Sequence, residues 1–95
     1  MAIRKAVAIN SADSQNQLLL GYLLLRQGKQ SEALVAFRKA VALDQSDVVS
    51  LSMCGYVLEQ MGQTDAAIEM YARALKLKPG DELATQLMAG VGANE

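Results

Sequence analysis

Between residues 14 and 27 the chain carries apolar residues on two sides of a helical cylinder at once. Gln15, Leu18, Tyr22, Leu25 and Arg26 fall within a stripe of about 100°, and Gln17, Leu20, Gly21 and Leu24 lie opposite. One apolar side serves a core. The other has no obvious structural reason to be apolar. Helical segments return at 48–61 and 82–91, and each of the three follows an aspartate: Asp13, Asp47 and Asp81. A carboxylate in that place accepts from the orphan N–H groups of the first turn and suits the positive end of the helix dipole. Gly28 and Gly62 are expected to stop the helices before them by taking the left-handed conformation. Partner helices are predicted over 2–10, 31–44 and 65–78, with Ser31 and Thr64 expected as caps and Pro79-Gly80 ending the last. Links of about two to five residues make successive helices antiparallel, so the pattern predicts all-α hairpins.

The pattern repeats. Shifted by 34 residues, Gly21 meets Gly55, Tyr22 meets Tyr56, Leu24 meets Leu58 and Gly28 meets Gly62. Ala33 meets Ala67, Ala40 meets Ala74, Leu43 meets Leu77, and the three aspartates keep the same spacing. Residues 2–9 join the register, lying over 36–43.

These residues resemble the tetratricopeptide repeat, whose helix–turn–helix unit follows W-x2-L-G-x2-Y, then A-x3-F, then P. In the first unit Gln17 falls in the tryptophan place, followed by Leu20-Gly21, Leu24, Ala33 and Phe37, with Gln45 in place of proline. In the second, Leu51 is followed by Cys54-Gly55, Leu58, Ala67, Tyr71 and Pro79. The small residues let two helices approach closely, and Phe37 and Tyr71 fill the space beyond. The resemblance implies a right-handed helical-hairpin solenoid forming one domain over 1–95. Its parts are a half repeat at 1–13, full repeats at 14–47 and 48–81, and a degenerate half repeat at 82–95. In the last, Thr85, Met88-Ala89 and Gly92 stand in the motif places, and Gly90 and Gly92 each weaken a helix by about 1 kcal/mol relative to Ala.

Composition excludes several function classes. Hydrophobic residues make up 52% of the 95 and charged residues 20%, far from the regime of disorder. A net charge of -1, with nine basic residues interspersed among ten acidic ones, leaves no basic stripe for nucleic acid. Cys54 is the sole cysteine, so no internal disulfide forms. No run is long enough to span a bilayer, and no leader-like hydrophobic region opens the chain, so a cytoplasmic protein without membrane contact is expected. Histidine is absent, and no cysteine or histidine spacing suggests a metal or cofactor. Cys54 is expected as a buried small hydrophobe, and Glu59, Asp65 and Glu69 as ordinary solvated helix charges. The chain is therefore not expected to be an enzyme.

In tetratricopeptide proteins the first helix of each unit lines a concave groove that takes up peptides or helices. By position, the resemblance assigns that role to Gln15, Leu18, Tyr22, Leu25 and Arg26, and to Val49, Ser52, Tyr56, Glu59 and Gln60. A groove reading the acidic C-termini of heat-shock chaperones needs Lys and Asn on this face, where Leu18, Tyr22, Ser52 and Tyr56 stand instead. The competing reading packs Leu18, Tyr22 and Leu25 against the preceding half-unit, or into the core. The expected function is a protein-interaction module, an adaptor or small chaperone-like holder of a partner's peptide or amphipathic helix. The alternative is a self-assembling scaffold, or a piece of a longer repeat protein. Ile3, Val7, Leu83, Leu87 and Met88 are the residues through which open terminal helices would associate into a homo-oligomer.

Overall fold

The computed structural model describes residues 13–91, and these form five helices with no strand among them. They are α1 (Ser14–Arg26), α2 (Gln30–Leu43), α3 (Val48–Gln60), α4 (Thr64–Leu77) and α5 (Glu82–Val91). Each segment predicted within those residues is thus a helix, with bounds agreeing to about one residue. The predicted helix over 2–10 lies outside the described residues. The chain divides into two compact units, one ending at Gln45 and the other starting at Ser46.

In the first unit, α1 and α2 pack as an antiparallel pair joined by Gln27, Gly28 and Lys29. The link is a Schellman turn. Gly28 takes φ 79°, its N–H donates to the Leu25 carbonyl at 3.0 Å, and the Lys29 N–H donates to the Leu24 carbonyl at 2.9 Å. The second unit makes the same turn between α3 and α4. There Gly62 takes φ 83°, its N–H donates to Glu59 at 3.0 Å, and the Gln63 N–H donates to Leu58 at 2.8 Å.

That turn corrects the expected capping of α2 and α4. Ser31 lies inside α2 and Thr64 is the first residue of α4, while the N-cap positions are Lys29 and Gln63, neither with a side-chain capping bond. The residue closing the Schellman turn also opens the next helix. Its carbonyl takes the first helical hydrogen bond, from Ala33 at 2.9 Å in one hairpin and from Ala67 at 3.0 Å in the other. No residue is left between the helices to serve as a separate polar cap.

The aspartates do cap. Asp13 accepts from the Gln15 N–H at 2.8 Å, and Asp81 accepts from the Ala84 N–H at 2.9 Å. Asp47 accepts from the Val49 and Ser50 N–H groups at 3.1 and 3.2 Å and from the Ser50 hydroxyl at 2.7 Å.

Each hairpin closes on one aromatic ring. Phe37 and Tyr71 are fully buried, as are Ala33, Ala40, Ala67 and Ala74 around them. A Cβ on Gly21 would lie 2.6 Å from Phe37 Cδ1, and one on Gly55 would lie 2.7 Å from Tyr71 Cδ1. Only glycine leaves room for the ring against the facing helix. In the second unit α5 packs on both α3 and α4, burying Ala84 and Val91.

Candidate functional site

On α1, the packing of Gly21 against Phe37 fixes which side of the helix faces its partner. The candidate stripe follows from that orientation. Gln15 and Arg26 are exposed, Tyr22 and Leu25 are half-buried, and Leu18 is buried at 9% exposure. Tyr22 meets Phe37 edge-on, with ring centroids 5.6 Å apart and planes at 79°. It therefore belongs partly to the core, and an edge-to-face contact of this kind contributes about 0.5–1.5 kcal/mol. A shallow concavity of about 320 Å³ is lined by Gln15, Asn16, Leu18, Leu19 and Tyr22. Asn16 and Leu19 stand outside the motif positions. Leu19, 36% exposed, could have been found from the run Leu18-Leu19-Leu20, because three consecutive leucines cannot all face a single core.

The stripe on α3 has a different character. Val49 is exposed at 38%, Gln60 is exposed, and Tyr56 and Glu59 are half-buried. Ser52 is completely buried, and its hydroxyl finds no hydrogen-bond partner among the described residues. An orphan hydroxyl of this kind costs about 1–3 kcal/mol. Ser52 and Leu18 are therefore the buried positions of their own stripes, and their neighbours along each helix are the more accessible ones.

Glu59 departs from the expected solvated charge. The Tyr71 hydroxyl, reaching across from α4, donates to Glu59 Oε1 at 3.0 Å. Burial, reinforced by the Glu59 hydrogen bond and charge and by nearby Tyr56, pushes the Tyr71 hydroxyl well above the ordinary tyrosine range. Tyr71 thus stays protonated and remains a donor. Asp65 and Glu69 are exposed on α4, as expected. Cys54 is buried at 1% exposure, as a small hydrophobe should be.

Among the described residues, no cluster of acidic, cysteine or histidine side chains could hold a metal ion. None of the described helices is long and apolar enough to cross a membrane. Of the residues expected at open ends, Leu83, Leu87 and Met88 are half-buried on α5, while Ile3 and Val7 lie outside the described residues.

The sequence profile of the tetratricopeptide repeat matches residues 24–91, well over half of the chain. The chain belongs to the tetratricopeptide repeat family. Solved structures of this family share its fold. The crystal structure of MamA has a TM-score of 0.86 and 25% identity, over 97% of this chain and 54% of that one. The second tetratricopeptide domain of human RPAP3, in complex with the HSP70 peptide SGPTIEEVD, gives 0.86 at 20% identity, over 95% of this chain and 75% of that one. The first such domain of Spaghetti (RPAP3), bound to the HSP90 peptide SRMEEVD, gives 0.87 at 21% identity, over 97% and 73%. This tetratricopeptide chain spans about half the length of the MamA chains it matches. No curated protein sequence matches it.

Proposed function

We propose that the chain is a protein-interaction module, an adaptor or small chaperone-like holder, that binds a partner's peptide or amphipathic helix on the first helices of its hairpins. One observation carries the reading. α1 uses one side, around Gly21, to receive Phe37, yet keeps Leu19 exposed and Tyr22 and Leu25 half-exposed beside a concavity. Apolar surface of this kind, bearing a rigid ring with a polar tip, suits a peptide or helix anchored by a few apolar side chains. Membership of a family whose solved members include peptide-bound domains supports the same class of partner. The acidic peptides of those complexes are not the ligand proposed, because the stripes of α1 and α3 carry Leu18, Tyr22, Ser52 and Tyr56 where Lys and Asn would be needed, and only Arg26 as a cation. Binding without catalysis in a cytoplasmic setting belongs to the same proposal.

Calorimetric titration with an amphipathic Leu/Ala peptide tests it. Tyr22→Ala combined with Tyr56→Ala should weaken binding by about 2 kcal/mol or more. Because Tyr22 also packs on Phe37, Leu19→Ser serves beside it as a change at an exposed position, expected to weaken binding without lowering helicity. Unchanged affinity in both variants removes the face from consideration.

A second reading draws on Leu83, Leu87 and Met88, which stay half-exposed although α5 packs on two helices. In that reading copies of the chain associate through their terminal helices. Sedimentation over a range of concentrations separates the two readings, and a strictly monomeric chain defeats the second.

A further inference from the structure

We propose that the exposed face of α5 pairs with residues 2–10 of a second copy of the chain, so that two copies together complete one hairpin. This rests on the self-association reading above and names both surfaces that meet.

α5 is the first helix of a hairpin, and its pairing face is open. In the 34-residue register, Thr85 and Ala89 stand where Gln17 and Gly21 stand on α1 and where Leu51 and Gly55 stand on α3. Those four are buried, whereas Thr85 and Ala89 are exposed and Met88 between them is half-buried. Residues four apart on a helix share one face, so the exposure is of a continuous strip.

One methyl decides what can fill that strip. A Cβ on Gly21 or Gly55 would run into the ring of Phe37 or Tyr71, and α5 carries such a Cβ on Ala89. No aromatic ring fits there in the same geometry. A second helix that pairs with α5 must carry something smaller in the ring place.

Residues 2–10, outside the described residues, supply it. They take the second-helix register, with Ile3 in the place of Phe37 and Tyr71 and Ala6 in the place of the fully buried Ala40 and Ala74. Glycine with a ring becomes alanine with an aliphatic chain: volume added on one helix is removed from the other, which close packing requires. Ser11, Ala12 and Asp13 link the segment to α1 of its own copy, a length that makes antiparallel neighbours of the two, so the segment reaches α5 from a second copy. Because the two surfaces differ, each copy offers one and accepts the other, and association runs head to tail.

Sedimentation of the full chain over a range of concentrations tests the pairing through an exchange of volumes. The unmodified chain should associate. Ile3→Phe should weaken association about ten-fold, because the ring meets the Ala89 methyl. Adding Ala89→Gly should bring it back to within about three-fold, by recreating the ring-on-glycine pair of the two complete hairpins. A second readout does not depend on packing. Ile3→Cys chains mixed with Ala89→Cys chains, both carrying Cys54→Ala and told apart by mass, should form disulfide-linked pairs of unlike chains. Association that ignores the exchange, or disulfides between like chains only, overturns the α5 pairing and leaves self-association standing. A strictly monomeric chain defeats both.

Discussion

The last turn of α1 and the middle of α2 carry Leu25 and Phe37, whereas the same places in the second hairpin carry Glu59 and Tyr71, joined by a 3.0 Å hydrogen bond. The backbones beneath them barely differ. The N-cap positions of α2 and α4 have φ/ψ of −92/72° and −93/69°, and the C-caps have −143/94° and −138/85°. A few places therefore set the hairpin: the capping aspartate, the glycine under the ring, the turn glycine and the buried alanines. The stripe beside them is free to change chemistry, from Leu18 and Leu25 on α1 to Ser52 and Glu59 on α3. Shared backbone reports on folding, and the differing stripe is where the two hairpins part in chemistry.

The largest expected effect comes from removing the rings. Phe37→Ala should cost about 3–5 kcal/mol in urea unfolding. Tyr71→Ala should cost at least as much, because Glu59 also loses its donor, so a clearly smaller loss at Tyr71 would break the parallel between the hairpins. Next come the glycines, where Gly21→Ala and Gly55→Ala should each cost about 1–3 kcal/mol despite alanine's better helix propensity, since the new methyl meets a ring. Pairing Gly21→Ala with Phe37→Leu should cost less than the sum of the two changes, and strict additivity would show that the close approach does not matter.

Capping sharpens the comparison. Asp47→Ala, which loses two N–H partners and a hydroxyl, should cost about 1–2 kcal/mol, and Asp13→Ala about 0.5–1. The smallest change at neutral pH is Tyr71→Phe, which makes the second ring resemble the first and should cost about 1 kcal/mol. Its pH dependence is more informative. The folded Tyr71 hydroxyl is raised above its unfolded value of 10.0, so its contribution is complete below that pH and is lost as pH rises further. Tyr71→Phe should flatten that alkaline loss, as followed by circular dichroism. An identical alkaline profile in both proteins would show that the Glu59 bond is not formed in solution.

Much of the fold was legible because its signals are local. Aspartates, turn glycines and the repeat spacing placed the helices to within about one residue. The remaining offset has a cause: Gln27 and Met61 are turn residues, and Lys29 and Gln63 act in two motifs at once. The candidate site was less legible. Glu59 and Tyr71 lie on different helices, and helical periodicity assigns a face to each without pairing them. Repeat register held the missing signal, because Leu25 and Phe37 change to polar partners together. Ser52 is similar, since its position in the stripe says nothing about complete burial.

The claim that the chain holds a partner on the first helices of its hairpins is tested most directly by following backbone amide shifts while an amphipathic Leu/Ala peptide is titrated in. The account predicts the largest changes at Leu19, Tyr22, Leu25, Tyr56 and Glu59, with little at exposed Val35 of α2 or Ile68 of α4. Changes centred on Val35 and Ile68, or none at all, would contradict it.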